Sequence, residues 1–378
     1  MVKVGILGGG QLGRMLLQQA ANYPVETFVL ENDEQCPAAH LCHHFVLGNI
    51  TQYDDVLAFG KKVEVLTIEI ENVNIEALET LETLGKTVIP SAAVLRLIKN
   101  KITQKQFYEA HQIPSAPFVV THTLLELDRH ISFLPAVHKI AEGGYDGRGV
   151  QMLHTPSDFE KGFDAPAILE KKVTLTKEIA LLLAINTVGE IAIYPPVEML
   201  ADAQLNQLDY LISPAQLPEN LLWKIEAIGI KLVKALKSPG FFVIELMIDS
   251  NKEVWVNETA PRVHNSGHHT IEANFCSQYD MVWRLLLGYP LGNTDSIKPA
   301  ATINLTGAPG QHGPVAYLGL QEALKMEQTY LHIYGKKETK PGRKMGHLTL
   351  LGENRIDLIH KINSIKPKIK VEAKNTQP

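Results

Sequence analysis

The sequence predicts an α/β protein whose first third forms a parallel sheet. Short apolar runs alternate with helical patterns there, and such alternation is typical of a parallel sheet covered by helices on both faces. The chain also opens with "VKVGILGGGQLGRML", in which an apolar strand leads through Gly8, Gly10 and Gly13 into a helix. The G-x-G-x-x-G spacing predicts a tight turn whose backbone N–H groups face an anion at a helix N-terminus.

Length and composition are those of an ordinary globular protein. The chain has 378 residues, of which 45% are hydrophobic and 20% are charged, and its formal net charge is −5. At roughly 150 residues per domain, this length predicts two or three domains. The negative charge argues against nucleic acid or an anionic membrane as a partner. No apolar run reaches the roughly 18 residues of a spanning helix, and the three cysteines are too scattered for a disulfide framework. We therefore expect a cytoplasmic protein with reduced thiols.

The elements of the first unit follow one another as strand and helix. Strands are predicted at 2–7, 25–30, 63–69 and 86–89, and helices at 11–21 and 74–84. This unit is predicted to end near Pro90. Two further helices, at 91–98 and 101–111, are then stopped by Pro114 and Pro117.

From about residue 117 the pattern changes to paired strands. Predicted strands lie at 117–121, 135–140, 150–153, 167–171, 178–186 and 190–194. A helix is expected at 219–237 from its apolar stripe, followed by a hairpin over 241–258. A smaller final segment has predicted strands near 300–305, 330–334 and 346–351.

The strongest local pattern is the glycine-rich stretch "HKIAEGGYDGRGV" (138–150). Four glycines within seven residues allow the backbone to come close to a ligand and to adopt positive φ. Lys139, which precedes them on a strand, supplies a point charge. The stretch therefore predicts a flap over a triphosphate, and the alternative is a plain hairpin turn.

The hairpin "FFVIELMIDSNKEVWVNE" holds two glutamates, Glu245 and Glu258. With Ser250 and Asn251 as a two-residue turn, Glu245 would face Val256, and Glu258 would lie one diagonal step away on the same face. A carboxylate in a buried strand is costly without a partner. Mg²⁺ commonly joins one or two carboxylates to substrate phosphates, so we expect a magnesium site, the alternative being two surface glutamates.

The loop "TAPRVHNSGHHT" follows the second glutamate directly and contains Arg262, His264, His268 and His269. A polar loop at a strand end is where substrates are often bound. Zinc held by three histidines is an alternative, which the neighbouring carboxylates disfavour because they suit a harder ion. A solvated loop is the other alternative.

Two further stretches are polar at strand ends. "YGKKETKPGRKMGH" (334–347) is basic and turn-rich, and it could bind a phosphate or carboxylate or form a solvated face. "TIEIENVN" (67–74) ends a parallel strand with Glu69, Glu71 and Asn72. Ligands of open α/β sheets lie at the carboxyl ends of strands, so Glu71 and Asn72 could hold ribose hydroxyls or an amine.

These motifs in this order resemble the ATP-grasp superfamily and, within it, the N5-carboxyaminoimidazole ribonucleotide synthetase family. The resemblance rests on "GGGQLGRM" (8–15), "EIENV" (69–73), "TQKQ" (103–106), "GGYDGRG" (143–149), "NETAPRVHNSGH" (257–268) and "PGRKMGH" (341–347). It implies an α/β fold with an N-terminal preATP-grasp, Rossmann-like domain (1–98), an ATP-grasp domain (99–290) and a small C-terminal domain (291–378).

The resemblance also implies the residues that bind the nucleotide and the metal. Lys101 and Lys139 are expected at the ATP phosphates, and Glu245 and Glu258 at Mg²⁺. The full expected nucleotide set is Lys101, Lys139, Gly143, Gly144, Tyr145, Asp146, Gly147, Arg148, Gly149, Glu170, Val173, Glu178, Asn257 and Glu258. The family usually has a histidine where this chain has Ala201, which predicts a weakened nucleotide contact there.

The implied reaction is carboxylation of 5-aminoimidazole ribonucleotide by bicarbonate and ATP, through carboxyphosphate, in purine synthesis. The expected catalytic residues are Asp146, Arg148, Arg262, His264, Lys336 and Arg343. The expected ribonucleotide-binding residues are Gln11, Leu12, Glu71, Asn72 and Lys344. Either Asp146 or Lys336 is expected to handle the proton or contact the carbamate. The resemblance further suggests a homodimer that acts on small molecules.

Three other functions remain open from the sequence. A formate-dependent glycinamide ribonucleotide transformylase would form a similar acyl phosphate. A sensor that binds ATP without turnover would suit the missing histidine. A nicotinamide dehydrogenase would rest on the opening glycines and on Glu31, which lies at the end of the second strand.

Overall fold

The structure is a computed structural model that describes residues 1–144, 149–202 and 207–374. Its first unit is a five-stranded parallel sheet in the order β3-β2-β1-β4-β5. The strands are β1 (Val2–Leu7), β2 (Val25–Glu31), β3 (His44–Leu47), β4 (Val65–Ile68) and β5 (Thr87–Val88). The helices of this unit are α1 (Gln11–Ala20), α2 (Tyr53–Gly60) and α3 (Ile75–Thr83). The predicted parallel sheet is confirmed, and the sequence prediction missed β3 and α2.

Asparagine and serine side chains begin the helices that lead out of this unit. The helices α4 (Ala92–Lys99) and α5 (Lys101–Ala110) follow directly on one another. Ser91 caps α4, and the Asn100 side chain accepts a hydrogen bond of 2.9 Å from the Ile102 N–H at the start of α5. Such caps satisfy N–H groups that have no partner within the helix. Helix α5 consequently begins at Lys101, at the mouth of the nucleotide cleft.

The glycine-rich stretch joins two strands of a small antiparallel sheet. This sheet has the order β6-β9-β7-β8. Its strands are β6 (Phe118–Thr121), β7 (Ala136–Ile140), β8 (Val150–Leu153) and β9 (Ala167–Lys171). Two 3-10 helices, Leu124–Phe133 and Pro156–Lys161, pack on it around Leu127.

A nine-stranded sheet forms the centre of the molecule. Its main path runs β15-β14-β10-β12-β13-β16-β20-β18, and β11 pairs with β10. The strands up to β16 are β10 (Leu175–Ile185), β11 (Ile191–Ile193), β12 (Val197–Asp202), β13 (Gln207–Ser213), β14 (Gly240–Asp249), β15 (Val254–Ala260) and β16 (Ala300–Thr306). Helix α6 (Glu219–Leu236) covers one face with its apolar stripe. Helices α7 (Thr270–Ala273) and α8 (Gln278–Leu287) follow β15.

The last part of the chain extends this central sheet. Its elements are β17 (Gly313–Leu318), α9 (Leu320–Leu324), β18 (Thr329–Ile333), β19 (Glu338–Thr339), β20 (Lys344–Leu351), α10 (Arg355–Ile365) and β21 (Lys370–Ala373). β13 pairs with β16, which pairs with β20, while β17 forms a separate small sheet with β19 and β21. Residues 344–347, the end of the basic stretch, therefore lie on the same sheet as the paired glutamates, whereas 338–339 belong to the separate small sheet. No helix in the described ranges is both long and apolar enough to cross a bilayer.

Helix α8 joins the N-terminal unit to the central sheet. The fully buried Trp283 donates a hydrogen bond of 2.7 Å from its indole N–H to the Leu16 carbonyl of α1. The Asp280 carboxylate accepts hydrogen bonds from Gln19 of α1, from Tyr23 in the turn after α1 and from Arg284 of its own helix. Burial raises the pKa of Asp280, but these donors outweigh it and the pKa is lowered. A charged hub thus fixes the first unit against the rest of the molecule.

We expect Asp280→Asn to lower the midpoint of thermal unfolding by about 1–2 °C, the shift that a loss of about 1 kcal/mol produces in a chain of 378 residues. An amide supplies one acceptor oxygen where several donors meet, and it removes the charge opposite Arg284. Differential scanning fluorimetry measures the midpoint. Glu353→Gln serves as the control, because Glu353 forms an exposed pair with Lys298. Equal midpoints for the wild type and Asp280→Asn would contradict the role of this hub.

Candidate active site

The two glutamates of the β14–β15 hairpin lie directly opposite one another. The turn is one residue longer than the sequence predicted, since the Asp249 N–H donates to the Glu253 carbonyl. The register also shifts between Glu245 and Leu246, so that Glu245 pairs with Glu258 and Leu246 pairs with Val256. The predicted pairing of Glu245 with Val256 is therefore wrong. A bulge at Asn257 turns Glu258 onto the face of Glu245, as bulges beside active sites often do.

The charges around this glutamate pair are unequal. Burial and the neighbouring carboxylates of Glu258 and Glu178 raise the pKa of Glu245 above its ordinary value. Lys101, whose Nζ lies 2.6 Å from Glu258 Oε2, lowers the pKa of Glu258 despite burial. Burial disfavours the charged form of Lys101, but the attraction of the Glu258 carboxylate outweighs this effect, so the pKa of Lys101 is raised. Lys101 therefore neutralises Glu258, whereas no lysine or arginine in the described parts of the chain lies within ion-pair distance of Glu245. Hard oxygen donors of this kind suit Mg²⁺.

A second lysine approaches the same place from the small antiparallel sheet. Lys139 Nζ lies 2.5 Å from Glu170 Oε2 and donates a hydrogen bond of 2.9 Å to Asn257 Oδ1. Glu170 Oε1 in turn lies 2.5 Å from Nζ of Lys105. The expected residues Lys101, Lys139, Glu170, Glu245, Asn257 and Glu258 thus form one connected network. Lys105 lies in the stretch "TQKQ" (103–106), but no role at the site was predicted for it from the sequence.

The described residues of the glycine-rich stretch follow β7 and precede β8. Gly149 has φ of +77°, and a Cβ there would lie 2.6 Å from the Ile140 side chain, so the position requires glycine. Gly143 also has positive φ, and Gly144 is half-buried. The predicted flap residues Tyr145, Asp146, Gly147 and Arg148 lie outside the described residues.

The opening glycine turn is filled by the protein's own carboxylates. The N–H groups of Gly10 and Leu12 both donate to the buried carboxylate of Glu69. The Gly9 N–H donates to Glu31 Oε2 over 2.9 Å. A Cβ on Gly10 would lie 2.3 Å from Glu69 Oε1, so glycine makes room here for a carboxylate. The group at this helix N-terminus is thus the Glu69 side chain, which occupies the Gly10 and Leu12 amides that would otherwise face the phosphates of a nicotinamide dinucleotide.

The loop after β15 reaches from the glutamate pair to the N-terminal unit. Nε of Arg262 lies 2.9 Å from Oε1 of Glu71, and Nε2 of His264 lies 3.8 Å from Oε1 of Glu245. The buried Gln278 side chain fixes His264, since it accepts from its N–H and donates to its carbonyl. The expected residues Glu71, Arg262 and His264 are therefore brought together beside the predicted metal site.

The basic stretch closes the opposite side of the cleft. Lys336 Nζ lies 5.9 Å from the centre of the Tyr334 ring and donates to the Lys344 carbonyl over 2.8 Å. Arg343 donates to the Glu338 carbonyl over 2.9 Å. Lys337 bonds to Gln35 of the N-terminal unit, which holds this stretch beside α1. The expected residues Lys336, Arg343 and Lys344 thus share one wall.

The remaining expected residues differ in exposure and in local contacts. Gln11 and Val173 are half-buried, and Asn72 is exposed. Leu12 is 7% exposed and its N–H is used by Glu69. Glu178 lies on β10, opposite Met247 of the neighbouring strand, and burial raises its pKa. Their expected contacts with ATP or the ribonucleotide stay predictions.

The other histidines of the loop are core residues. His268 is buried against Tyr279, whose hydroxyl lies 2.8 Å from His268 Nδ1. Its ring stacks on His347, which stacks on His332, with centres 4.6 and 4.4 Å apart. Stacked rings cannot direct their nitrogens to one ion, and no group of three or more His, Cys, Asp or Glu in the described residues could hold a metal. These positions give no support to zinc held by three histidines.

We expect Glu245→Gln to raise the midpoint of thermal unfolding above that of the wild type, and we expect this difference to grow as pH rises. Both midpoints are measured without nucleotide or divalent ion. The folded pKa of Glu245 is raised, so the folded state retains a proton that the unfolded chain releases near pH 4–5, and stability falls as pH rises toward the folded pKa. Glutamine never ionises and avoids this loss. Scanning fluorimetry between about pH 5 and pH 9 tests it. A difference from the wild type that does not change with pH would contradict the raised pKa, and the exposed Glu353→Gln is the control.

Comparison with known proteins matches all three parts of the chain. Residues 1–99 match the ribonucleotide synthetase preATP-grasp domain, 106–279 the ATP-grasp domain, and 300–361 the phosphoribosylaminoimidazole carboxylase C-terminal domain. A N5-carboxyaminoimidazole ribonucleotide synthase from Staphylococcus aureus is 33% identical, over 92% of this chain and 92% of the relative. A chloroplastic phosphoribosylaminoimidazole carboxylase from Vigna aconitifolia is 35% identical over 93% of this chain, which spans only 64% of that relative's length.

Solved structures show the same similarity. N5-carboxyaminoimidazole ribonucleotide synthetase from Thermotoga maritima superposes with a TM-score of 0.92, at 35% identity, over 99% of this chain and 100% of that one. N5-carboxyaminoimidazole synthase from Aspergillus clavatus, in complex with ADP and 5-aminoimidazole ribonucleotide, superposes with a TM-score of 0.87, at 29% identity, over 97% of this chain and 98% of that one. The fold and family predicted from the motifs are confirmed: the chain belongs to the N5-carboxyaminoimidazole ribonucleotide synthetase family of the ATP-grasp superfamily.

Proposed function

We propose that this protein carboxylates 5-aminoimidazole ribonucleotide with bicarbonate and ATP, giving N5-carboxyaminoimidazole ribonucleotide, ADP and phosphate in purine biosynthesis. The observation that best supports this is the continuity of one hairpin and its loop. Glu245 and Glu258 lie beside the lysines of the nucleotide cleft, and Arg262 and His264 follow in the same chain segment. Phosphoryl transfer and carboxyl transfer can therefore take place next to one another.

The nucleotide side would bind and orient the triphosphate. Lys101 and Lys139 supply positive charge for the phosphates, and Glu245 and Glu258 would hold Mg²⁺ with Asn257 beside them. The metal would neutralise charge on the transferring phosphoryl group. The half-neutralised glutamate pair supports this part of the proposal, because Glu245 lacks the ammonium that Glu258 has.

The first step would join bicarbonate to the γ-phosphorus. An oxygen of bicarbonate attacks phosphorus, the bond to the β-phosphate oxygen breaks, and ADP leaves with that electron pair. Carboxyphosphate results, and closure of the glycine-rich flap would exclude the water that hydrolyses it. Arg262 and His264 lie where they can hold the bicarbonate next to the metal.

The second step would form the new carbon–nitrogen bond. The 5-amino nitrogen attacks the carboxyl carbon of carboxyphosphate, or of carbon dioxide released from it, and forms the carbon–nitrogen bond. The carbon–oxygen bond to phosphate breaks, phosphate leaves with that electron pair, and the nitrogen loses a proton. Asp146 or Lys336 would accept that proton or contact the carbamate. Arg148 and Arg343 would line the same site, Lys344 would meet the ribonucleotide phosphate, and Gln11, Leu12, Glu71 and Asn72 would contact the rest of the ribonucleotide.

Family resemblance alone supports two further proposals, a homodimer and a cytoplasmic location. The three cysteines are free, and Cys36 and Cys276 are buried, which suits a reducing compartment. Light scattering of the purified chain measures its mass in solution, and a monomer would remove the first proposal.

We expect ADP release from MgATP to require both bicarbonate and 5-aminoimidazole ribonucleotide, because the phosphoryl acceptor and the carboxyl acceptor share one cleft. A coupled ADP assay with each substrate omitted in turn measures this requirement. Product is identified by incorporation of labelled bicarbonate. Removal of Mg²⁺ with a chelator should abolish turnover.

Variants make the same assay specific for the proposed residues. Lys336→Ala should lose most carboxylation, and full retention would remove Lys336 from the reaction. Lys366→Met is a matched control, since Lys366 pairs with Asp209 away from the cleft. Stimulation by formate and glycinamide ribonucleotide would instead favour the transformylase. Nucleotide binding without any ADP release would favour the sensor.

A further inference from the structure

The buried lysine Lys105 lies behind the nucleotide cleft and has no role in the site described so far. Its side chain is 2% exposed, and Glu170 is the one carboxylate within ion-pair distance of it in the described parts of the chain. Its Nζ also lies 5.7 Å from the centre of the Phe118 ring. Burying an ammonium is costly unless a partner compensates it, so this position calls for a physical reason.

Lys101 and Lys105 lie one turn apart on the same side of α5. Each contacts a different glutamate, Glu258 for Lys101 and Glu170 for Lys105. Their environments differ, because burial lowers the pKa of Lys105 even though Glu170 raises it. The helix thus presents one lysine at the mouth of the cleft and one behind it.

Glu170 divides its two oxygens between two lysines. Oε1 lies 2.5 Å from Lys105 Nζ, and Oε2 lies 2.5 Å from Lys139 Nζ. Burial raises the pKa of Glu170, but the two ammonium groups outweigh it, so the pKa is lowered and the carboxylate is charged. One negative charge therefore faces two positive charges, and the pair of lysines keeps a net positive charge next to the cleft.

We propose that Lys105 is a positioning residue for nucleotide binding, which shares the charge of Glu170 so that Lys139 stays available to the phosphates of MgATP. This rests on the proposed function, which assigns Lys139 to those phosphates. Lys139 already has a second contact on the cleft side, a hydrogen bond of 2.9 Å to Asn257. Without Lys105, Glu170 would have Lys139 as its single cation and would hold it away from the nucleotide.

Lys105→Met tests this, because methionine keeps the length and apolar stem of lysine and removes the charge. We expect the affinity for MgADP, measured by isothermal titration calorimetry, to fall by about tenfold to a hundredfold, as is typical when a residue that orients a ligand-binding group is lost. The KM for ATP should rise in parallel, with a smaller change in kcat. Wild-type affinity in a folded Lys105→Met variant overturns the proposal.

The double variant Lys105→Met/Glu170→Gln separates positioning from other roles. Because Glu170 is itself in the expected nucleotide-binding set, the reference is Glu170→Gln alone. Glutamine removes the charge that would capture Lys139, so adding Lys105→Met to Glu170→Gln should cause little further loss of MgADP affinity. A double variant that binds MgADP much more weakly than Glu170→Gln alone overturns the proposal, because direct phosphate contact or packing by Lys105 would not depend on the charge of Glu170. If Lys105→Met does not fold, as judged by circular dichroism, the double variant decides alone by the same criterion.

The matched control is the pair Lys366→Met and Lys366→Met/Asp209→Asn. It makes the same change of charge at an ion pair away from the cleft and should leave MgADP affinity unchanged. If the wild-type protein binds MgADP but forms no ADP from MgATP in the presence of bicarbonate and 5-aminoimidazole ribonucleotide, the proposed function alone is refuted. The MgADP affinities would still decide the role of Lys105.

Discussion

The packing of helix α1 against helix α8 is the contact on which the geometry of the cleft depends. Trp283 and Asp280 of α8 bind the backbone and side chains of α1, and a continuous core runs from Val4 in the first sheet to Trp283 and on to Tyr334 near the C-terminus. This core holds the glycine turn at one side of the cleft and the β14–β15 hairpin at the other. Arg262 and Glu71 can form an ion pair across the two units only because that packing fixes their separation.

Charge within the cleft depends on how far each carboxylate is buried. Glu170 is almost fully buried and the Glu245 side chain is 23% exposed, whereas that of Glu258 is 43% exposed. A buried carboxylate needs a nearby cation or a proton. Lys101 neutralises Glu258, and two lysines share Glu170. In the described ranges no ammonium lies within ion-pair distance of Glu245, whose pKa is raised. The same imbalance that makes Glu245 costly in the free protein favours a divalent cation at that position.

Much of the fold was predictable, because period and composition are local properties. Four of the five parallel strands, the hairpins and helix α6 lie where the apolar patterns predicted them, whereas β3 was missed. The sequence also indicated Glu245 and Glu258 as a pair, although it predicted the wrong register. The bulge at Asn257 could not be predicted, since it depends on how β15 pairs with its neighbour rather than on its own residues. Lys105 and Glu69 were missed because their partners lie 65 and 57 or more residues away in the chain.

The sequence by itself determined the class of fold, the family and the residue types available for phosphoryl and carboxyl transfer. Only the tertiary structure decided which of these groups meet. The opening glycines illustrate the difference, because their spacing predicts an anion at the start of α1 whatever its source. That anion proved to be the carboxylate of Glu69, brought by β4 to the amides of Gly10 and Leu12. A local pattern specifies a backbone shape, whereas the group that fills it is selected by the long-range packing of strands and helices.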